Sequence, residues 1–119
     1  MRVIESKIIQ AIRNRKGLKT GHSSNMSGYR DVITISPAGF SYRLWDHYIA
    51  ISSESTKTLM IDDCGFATAT TRSRLNAIFA ALDIPVSCSV RKGKMVYYLN
   101  GKEISEKGIE TANYSISIA

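Results

Sequence analysis

Between Asp31 and Asp62 the apolar residues recur at a period of two, and that alternation constrains this chain more than any other feature it has. The runs are Val32, Ile33 and Ile35, then Phe40, Tyr42 and Leu44, then Tyr48, Ile49 and Ile51, then Leu59 and Ile61. β-Branched and aromatic residues in this rhythm build strands that turn one face to a core. Turn-forming stretches separate them at Ser36-Pro37-Ala38-Gly39, at Trp45-Asp46-His47 and from Ser52 to Lys57. Each is short enough to join antiparallel neighbours, so the segment predicts a four-stranded meander.

Two segments follow a helical period instead. From Val3 to Arg15, the residues Ile4, Ile8, Ala11 and Ile12 form one apolar stripe, with Gly17 as the expected stop. From Ala67 to Leu82, Leu75, Ile78, Phe79 and Leu82 share a face, Thr70 or Thr71 is the expected cap, and the helix must end before Pro85. This second helix is expected to lie across the sheet. Thr20 to Gly28 is polar and glycine-containing and predicts a mobile loop. Val86 to Val90, Met95 to Leu99 and Glu103-Ile104 return to extended character around Arg91-Lys92-Gly93-Lys94 and Asn100-Gly101, which predicts a C-terminal β hairpin unit. Tyr114 to Ile118 alternates and is expected to form an edge strand or to pair with another chain, leaving a homodimer open. The mixed order of elements gives an α+β class.

With 119 residues, the chain is sized for a single domain, 1–119. Its apolar fraction of 44% and charged fraction of 22% exclude wholesale disorder and a fibrous repeat. No apolar run approaches the roughly 18–20 residues that span a bilayer. The stretch Met1 to Lys19 is too charged for a secretory apolar region, so a cytoplasmic protein with no membrane partner is expected. Cys64 and Cys88 form no Cys-x-x-Cys pair and read as buried free thiols, so no metal and no cofactor are expected.

His22 and His47 fall in different elements, and no glycine-flanked nucleophile turn accompanies the serines, so no catalytic residues are assigned and an enzyme is not expected. Asp62-Asp63 ahead of Cys64-Gly65 reads as a turn before it reads as a cation site. The formal charge of +6 favours a polyanion or an acidic protein face. Arg91, Lys92 and Lys94 are the densest cations, placed on a hairpin tip beside Tyr97 and Tyr98, of which one faces the core and the other outward. Such a tyrosine suits stacking on a base, or simply covers a strand face. Trp45 and His47 pair an aromatic anchor with a polar neighbour, with Trp45 expected in the core and His47 exposed. Arg72 and Arg74 sit near the start of the second helix, where they either join its free amides in holding an anion or remain solvated flanks. Arg13, Arg15, Lys16 and Lys19 cluster at the end of the first helix, where cations also complement the helix dipole.

Three stretches carry a resemblance: Tyr42 to Ile51, Leu59 to Ile61, and Gly65 to Ile78 with its Gly-aromatic-x-Thr-x-Thr-Thr pattern followed by Arg-Leu-Asn-Ala. In them, and at Ile4-Glu5 and Ala11 to Asn14, the chain resembles a broad set of small bacteriophage and prophage proteins. It departs from them at Trp45 to Tyr48, where relatives tend to show a His-Gly-Asn-like turn. The resemblance implies a phage-encoded accessory protein. Combined with the residues, it gives a leading expectation of a non-enzymatic protein that binds and inhibits a host macromolecular complex, as in host takeover or anti-defence. The alternatives are a basic DNA- or RNA-binding protein and, third, a nucleotide-sequestering protein using the start of the second helix.

Overall fold

The computed structural model describes residues 3–22, 28–103, 109–110 and 115–118, the last two segments by their backbone pairing. Helix α1 is Val3–Arg13 and is followed by β1, Leu18–His22. The meander is β2 (Tyr29–Ser36), β3 (Gly39–Leu44), β4 (His47–Ser53) and β5 (Thr58–Ile61). Helix α2 is Ala69–Ala81, and β6 (Val86–Arg91), β7 (Lys94–Leu99) and β8 (Lys102–Glu103) follow it. Two further strands, β9 (Ile109–Glu110) and β10 (Ser115–Ile118), complete the described elements.

The strands form two sheets, one ordered β1-β2-β3-β4-β5-β10-β9 and one ordered β6-β7-β8. The predicted meander is there, and the class is α+β. The first sheet is larger than the meander because Leu18–His22 pairs antiparallel with β2, where a loop was expected from Thr20. Residues 23–27 of that expected loop lie outside the described residues. Strand β10 runs parallel to β5 within the chain, with Ser115 opposite Thr58 and Ile118 opposite Ile61, and β9 lies beyond it. It is therefore an interior strand of this sheet. Tyr114 and Ile104 lie outside the described residues.

One face of the large sheet carries Ile33, Phe40, Tyr42, Leu44, Ala50, Leu59 and Ile61, all buried against the two helices. Ile8, Ala11 and Ile12 of α1 and Leu75, Ile78 and Phe79 of α2 complete the core, as their helical spacing requires. The opposite face leaves Tyr48, Ile51 and Met60 exposed, with Ile51 and Met60 directly paired across β4 and β5. The alternation breaks in β4, where a bulge opposite Tyr42 and Arg43 shifts the register and lets the consecutive Ile49 and Ala50 both be buried.

The helix ends differ from the sequence expectation. Arg15, at φ 53°, takes the left-handed position after α1, and the Lys16 amide donates to the Ala11 carbonyl at 2.9 Å. An arginine replaces the expected glycine there, and its guanidinium is anchored on Glu54 at 2.7 Å. The cap of α2 is Thr68, two or three residues earlier than expected; its hydroxyl accepts from the Thr71 amide at 3.2 Å. Arg13 reaches the other end of α2, donating to the carbonyls of Ala81 at 3.2 Å and Ala80 at 2.9 Å and to Asp83 at 3.0 Å. A cation thus closes the carbonyl end of a helix it does not belong to.

Asn76 fixes the small sheet to the body. Its amide nitrogen donates to the Cys88 carbonyl at 3.0 Å, and its oxygen accepts from the Cys88 amide at 2.8 Å. It thereby covers the edge of β6 that pairs with no strand among the described residues. Asn76→Ala strips two bonds from a part-buried edge and is expected to cost about 2 kcal/mol. Hydrogen exchange checks this locally: the Cys88 amide should exchange faster while the meander amides keep their protection.

Candidate functional site

The hairpin β6–β7 turns on Lys92 and Gly93, whose φ values of 52° and 75° define the tight turn that the right-handed twist of paired strands prefers. Arg91, Lys92 and Lys94 all lie exposed at its tip. Among the described residues none of the three ends in an ion pair, whereas Arg13, Arg15, Arg30, Lys57 and Arg74 all do. A shallow depression of about 410 Å³ lies among Arg91, Lys92, Lys94, Val96 and Glu103. The two tyrosines of β7 separate as strand geometry demands: Tyr97 is buried opposite Cys88, and Tyr98 faces outward. Ser89, and after it Arg91, hold the Tyr98 phenol below its usual range through hydrogen bonds. Burial, helped by Cys88 and the carboxylates of Asp63 and Asp62, pushes the Tyr97 phenol up.

Arg72 and Arg74, expected as a pair near the start of α2, part company. Arg72 is exposed. Arg74 is 3% exposed, and its Nε donates to Asp31 Oδ1 at 2.8 Å. Asp31 is fully buried and also accepts from the Tyr42 hydroxyl at 2.6 Å and from Arg30 Nε at 2.6 Å. Burial alone would raise the Asp31 carboxyl, but the hydrogen bonds from Arg74, Tyr42 and Arg30 outweigh it and hold it below the usual carboxylate range. Arg74 is therefore a structural cation and not a contact residue, because its charge is spent inside the fold.

Trp45 and His47 come together at one end of the large sheet. Trp45 occupies the first position of the β3–β4 turn at φ 53°, and its amide donates to the Arg30 carbonyl at 2.6 Å. It is half-buried and packs against the core, while His47 is exposed. The His47 ring lies 4.9 Å from that of Phe66, tilted by 48°. These aromatic rings, Arg30, Asp63 and the hydroxyl-bearing start of α2 enclose a cleft of about 380 Å³. Arg30 and Phe66 were not singled out by the sequence; the Gly-aromatic pair at Gly65-Phe66 is the one signal that pointed there.

Asp62 and Asp63 form the expected turn, with Oδ1 of each accepting a backbone amide two residues on, from Cys64 at 2.8 Å and Gly65 at 3.0 Å. Among the described residues no three His, Cys, Asp or Glu side chains converge as metal ligands. Both cysteines are free thiols, Cys88 buried and Cys64 only half-buried. Burial pushes Cys88 up to about 12, and burial followed by the Asp62 and Asp63 charges raises Cys64, so both stay protonated at neutral pH. The side chain of His22 lies outside the described residues. Among the described residues no helix is long and apolar enough to cross a membrane.

A family model described as Kyanoviridae Gp96 protein matches residues 1–116. Neither a curated protein nor a solved structure matches the chain.

Proposed function

We propose that this chain, which belongs to the Kyanoviridae Gp96 family and is thus a phage protein, acts without catalysis by binding a host macromolecular complex in the cytoplasm and blocking that complex's own ligand. The observation that carries the reading is the hairpin tip. Five basic side chains elsewhere each reach an internal carboxylate, yet Arg91, Lys92 and Lys94 project together from a tight turn without an ion pair among the described residues. Exposed cations gathered on a two-residue hairpin turn, with Arg91 steadied by Tyr98, can meet an acidic surface without breaking an internal ion pair. The outward Tyr98, beside Arg91, adds an aromatic contact at the same place.

A single triple variant tests it. Arg91→Ala with Lys92→Ala and Lys94→Ala is expected to weaken capture of the partner by roughly a hundredfold or more, about 3 kcal/mol. Its melting temperature should stay within about 3 °C of the parent, because exposed side chains contribute little to folding. Tagged parent and variant are compared in pull-downs from bacterial host lysate, with and without nuclease. A nuclease-resistant stoichiometric protein lost in the variant is the expected result.

The second reading, direct binding of DNA or RNA, rests on Tyr98 standing next to the same cations, the arrangement that stacks a base beside a neutralised phosphate. Recovery of nuclease-sensitive nucleic acid alone would favour it. Affinity should then fall with salt at a log-log slope of about 0.9 per neutralised phosphate on duplex DNA.

A further inference from the structure

The cleft at the start of α2 is a different place from the basic hairpin and has a different chemistry. Its volume of about 380 Å³ lies within the roughly 300–1,000 Å³ of small-molecule sites. Three aromatic rings line it, from Trp45, His47 and Phe66, and Phe66 is 51% exposed where an ordinary core would have covered it. Trp45 is held at a left-handed turn position that favours glycine or asparagine. The turn therefore places an indole where its local geometry does not call for one.

Charge narrows the occupant. Arg30 lines the cleft and commits its Nε to Asp31, while its two terminal nitrogens have no acceptor among the described residues. Asp31 is already matched by Arg74, so two guanidiniums share one carboxylate, and the outer end of Arg30 stands on the cleft wall as a cation while Asp63 supplies a carboxylate on the same lining. The Thr70 hydroxyl at the start of α2 adds a donor to the lining, while those of Thr68 and Thr71 bond each other at 3.2 Å, and Asp63 adds an acceptor. An occupant must then bring a flat ring for the aromatic walls, an anion for Arg30 and a hydroxyl or amino donor for Asp63. We propose that this cleft binds a 5′-mononucleotide, its base against Trp45 and Phe66, its phosphate on Arg30 and its sugar or base donors on Asp63.

Trp45 is the only tryptophan of the chain, so its emission reports on this cleft. The full chain is titrated with AMP, GMP, CMP and UMP, and with adenosine and inorganic phosphate as half-ligands. Saturable quenching by at least one mononucleotide is expected, at an affinity roughly tenfold or more above that of either half-ligand. Phe66→Ala and His47→Ala, both at exposed rings, should each weaken it by roughly tenfold while circular dichroism stays unchanged. The hairpin triple-alanine variant should bind the mononucleotide like the parent, which separates this site from the hairpin reading. No saturable quenching by any of the four up to about 1 mM would overturn the proposal. So would unchanged affinity in both ring variants, or quenching by a single-stranded oligonucleotide where all four mononucleotides are silent.

Discussion

Asp31→Ala is expected to lower the folding stability by about 3–5 kcal/mol, a large part of the roughly 5–15 kcal/mol that a domain of this size has. The carboxylate is fully buried and gathers four donors: the Tyr42 hydroxyl and Arg74 Nε on Oδ1, and Arg30 Nε and Arg74 Nη2 on Oδ2. Its removal leaves the Arg74 guanidinium, 3% exposed, with Ser73 Oγ at 3.2 Å as its one remaining hydrogen-bond partner among the described residues. An uncompensated buried cation costs far more than a lost surface pair. A thermal melt should show a drop of roughly 10–25 °C. The cycle with Arg74→Met identifies the cause. If the cost is the stranded charge, Asp31→Ala combined with Arg74→Met should be less destabilised than the sum of the two single variants by about 2 kcal/mol. Simple additivity would show that the two groups do not act as a pair.

The same carboxylate sets the acid limb. Its hydrogen bonds hold it below the ordinary value of 3.8 in the folded chain. Below that value the unfolded chain takes up the proton first, so the Asp31 contribution is complete at neutral pH and is lost as pH falls through the lowered folded value. The Asp31→Ala variant should therefore show a shallower loss of stability in acid than its parent.

What the sequence could disclose followed from period and local chemistry. Alternation from Val32 to Ile61 marked the meander, and the spacings of Ile8 and Ile12 and of Leu75 and Phe79 marked the helices, because burial on one face imposes those rhythms. Leu18–His22 escaped notice since its five residues include Lys19, Thr20 and Gly21, and what makes them a strand is the neighbouring β2 backbone. Arg72 and Arg74 looked alike in sequence, yet positions two apart on a helix point about 200° away from each other. One of the two had to turn inward, and its partner stood 43 residues earlier, at the start of a strand. The cleft was half visible for a similar reason. Trp45 and His47 stood out in one segment, while Arg30 and Phe66 arrive from two others. Strand geometry assigned Tyr97 and Tyr98 to opposite faces, but which of them is buried depends on how β6 docks on Asn76.

Gly39→Ala is expected to cost about 3–5 kcal/mol, although it adds a single methyl group. Gly39 opens β3 at φ +149°, a conformation that side chains rarely adopt, and lies against the next strand. A methyl group there would overlap the Ser52 carbonyl oxygen and come within 2.8 Å of both its carbonyl carbon and its hydroxyl. The carbonyl carbon and oxygen are backbone and cannot rotate aside, so β4 has to move away from β3. That movement also breaks the bond in which Ser52 Oγ accepts from the Phe40 amide at 2.9 Å, and it disturbs the core at Phe40 and Tyr42. Gly93→Ala supplies the control. Gly93 also has a positive φ, +75°, but a methyl group there meets nothing within 4 Å. Its cost should be the backbone term alone, about 1 kcal/mol. Urea unfolding of both variants compares them: equal losses would show that the clash with Ser52 adds nothing, whereas a gap of about 2 kcal/mol or more reports that clash together with the less accessible backbone conformation of Gly39.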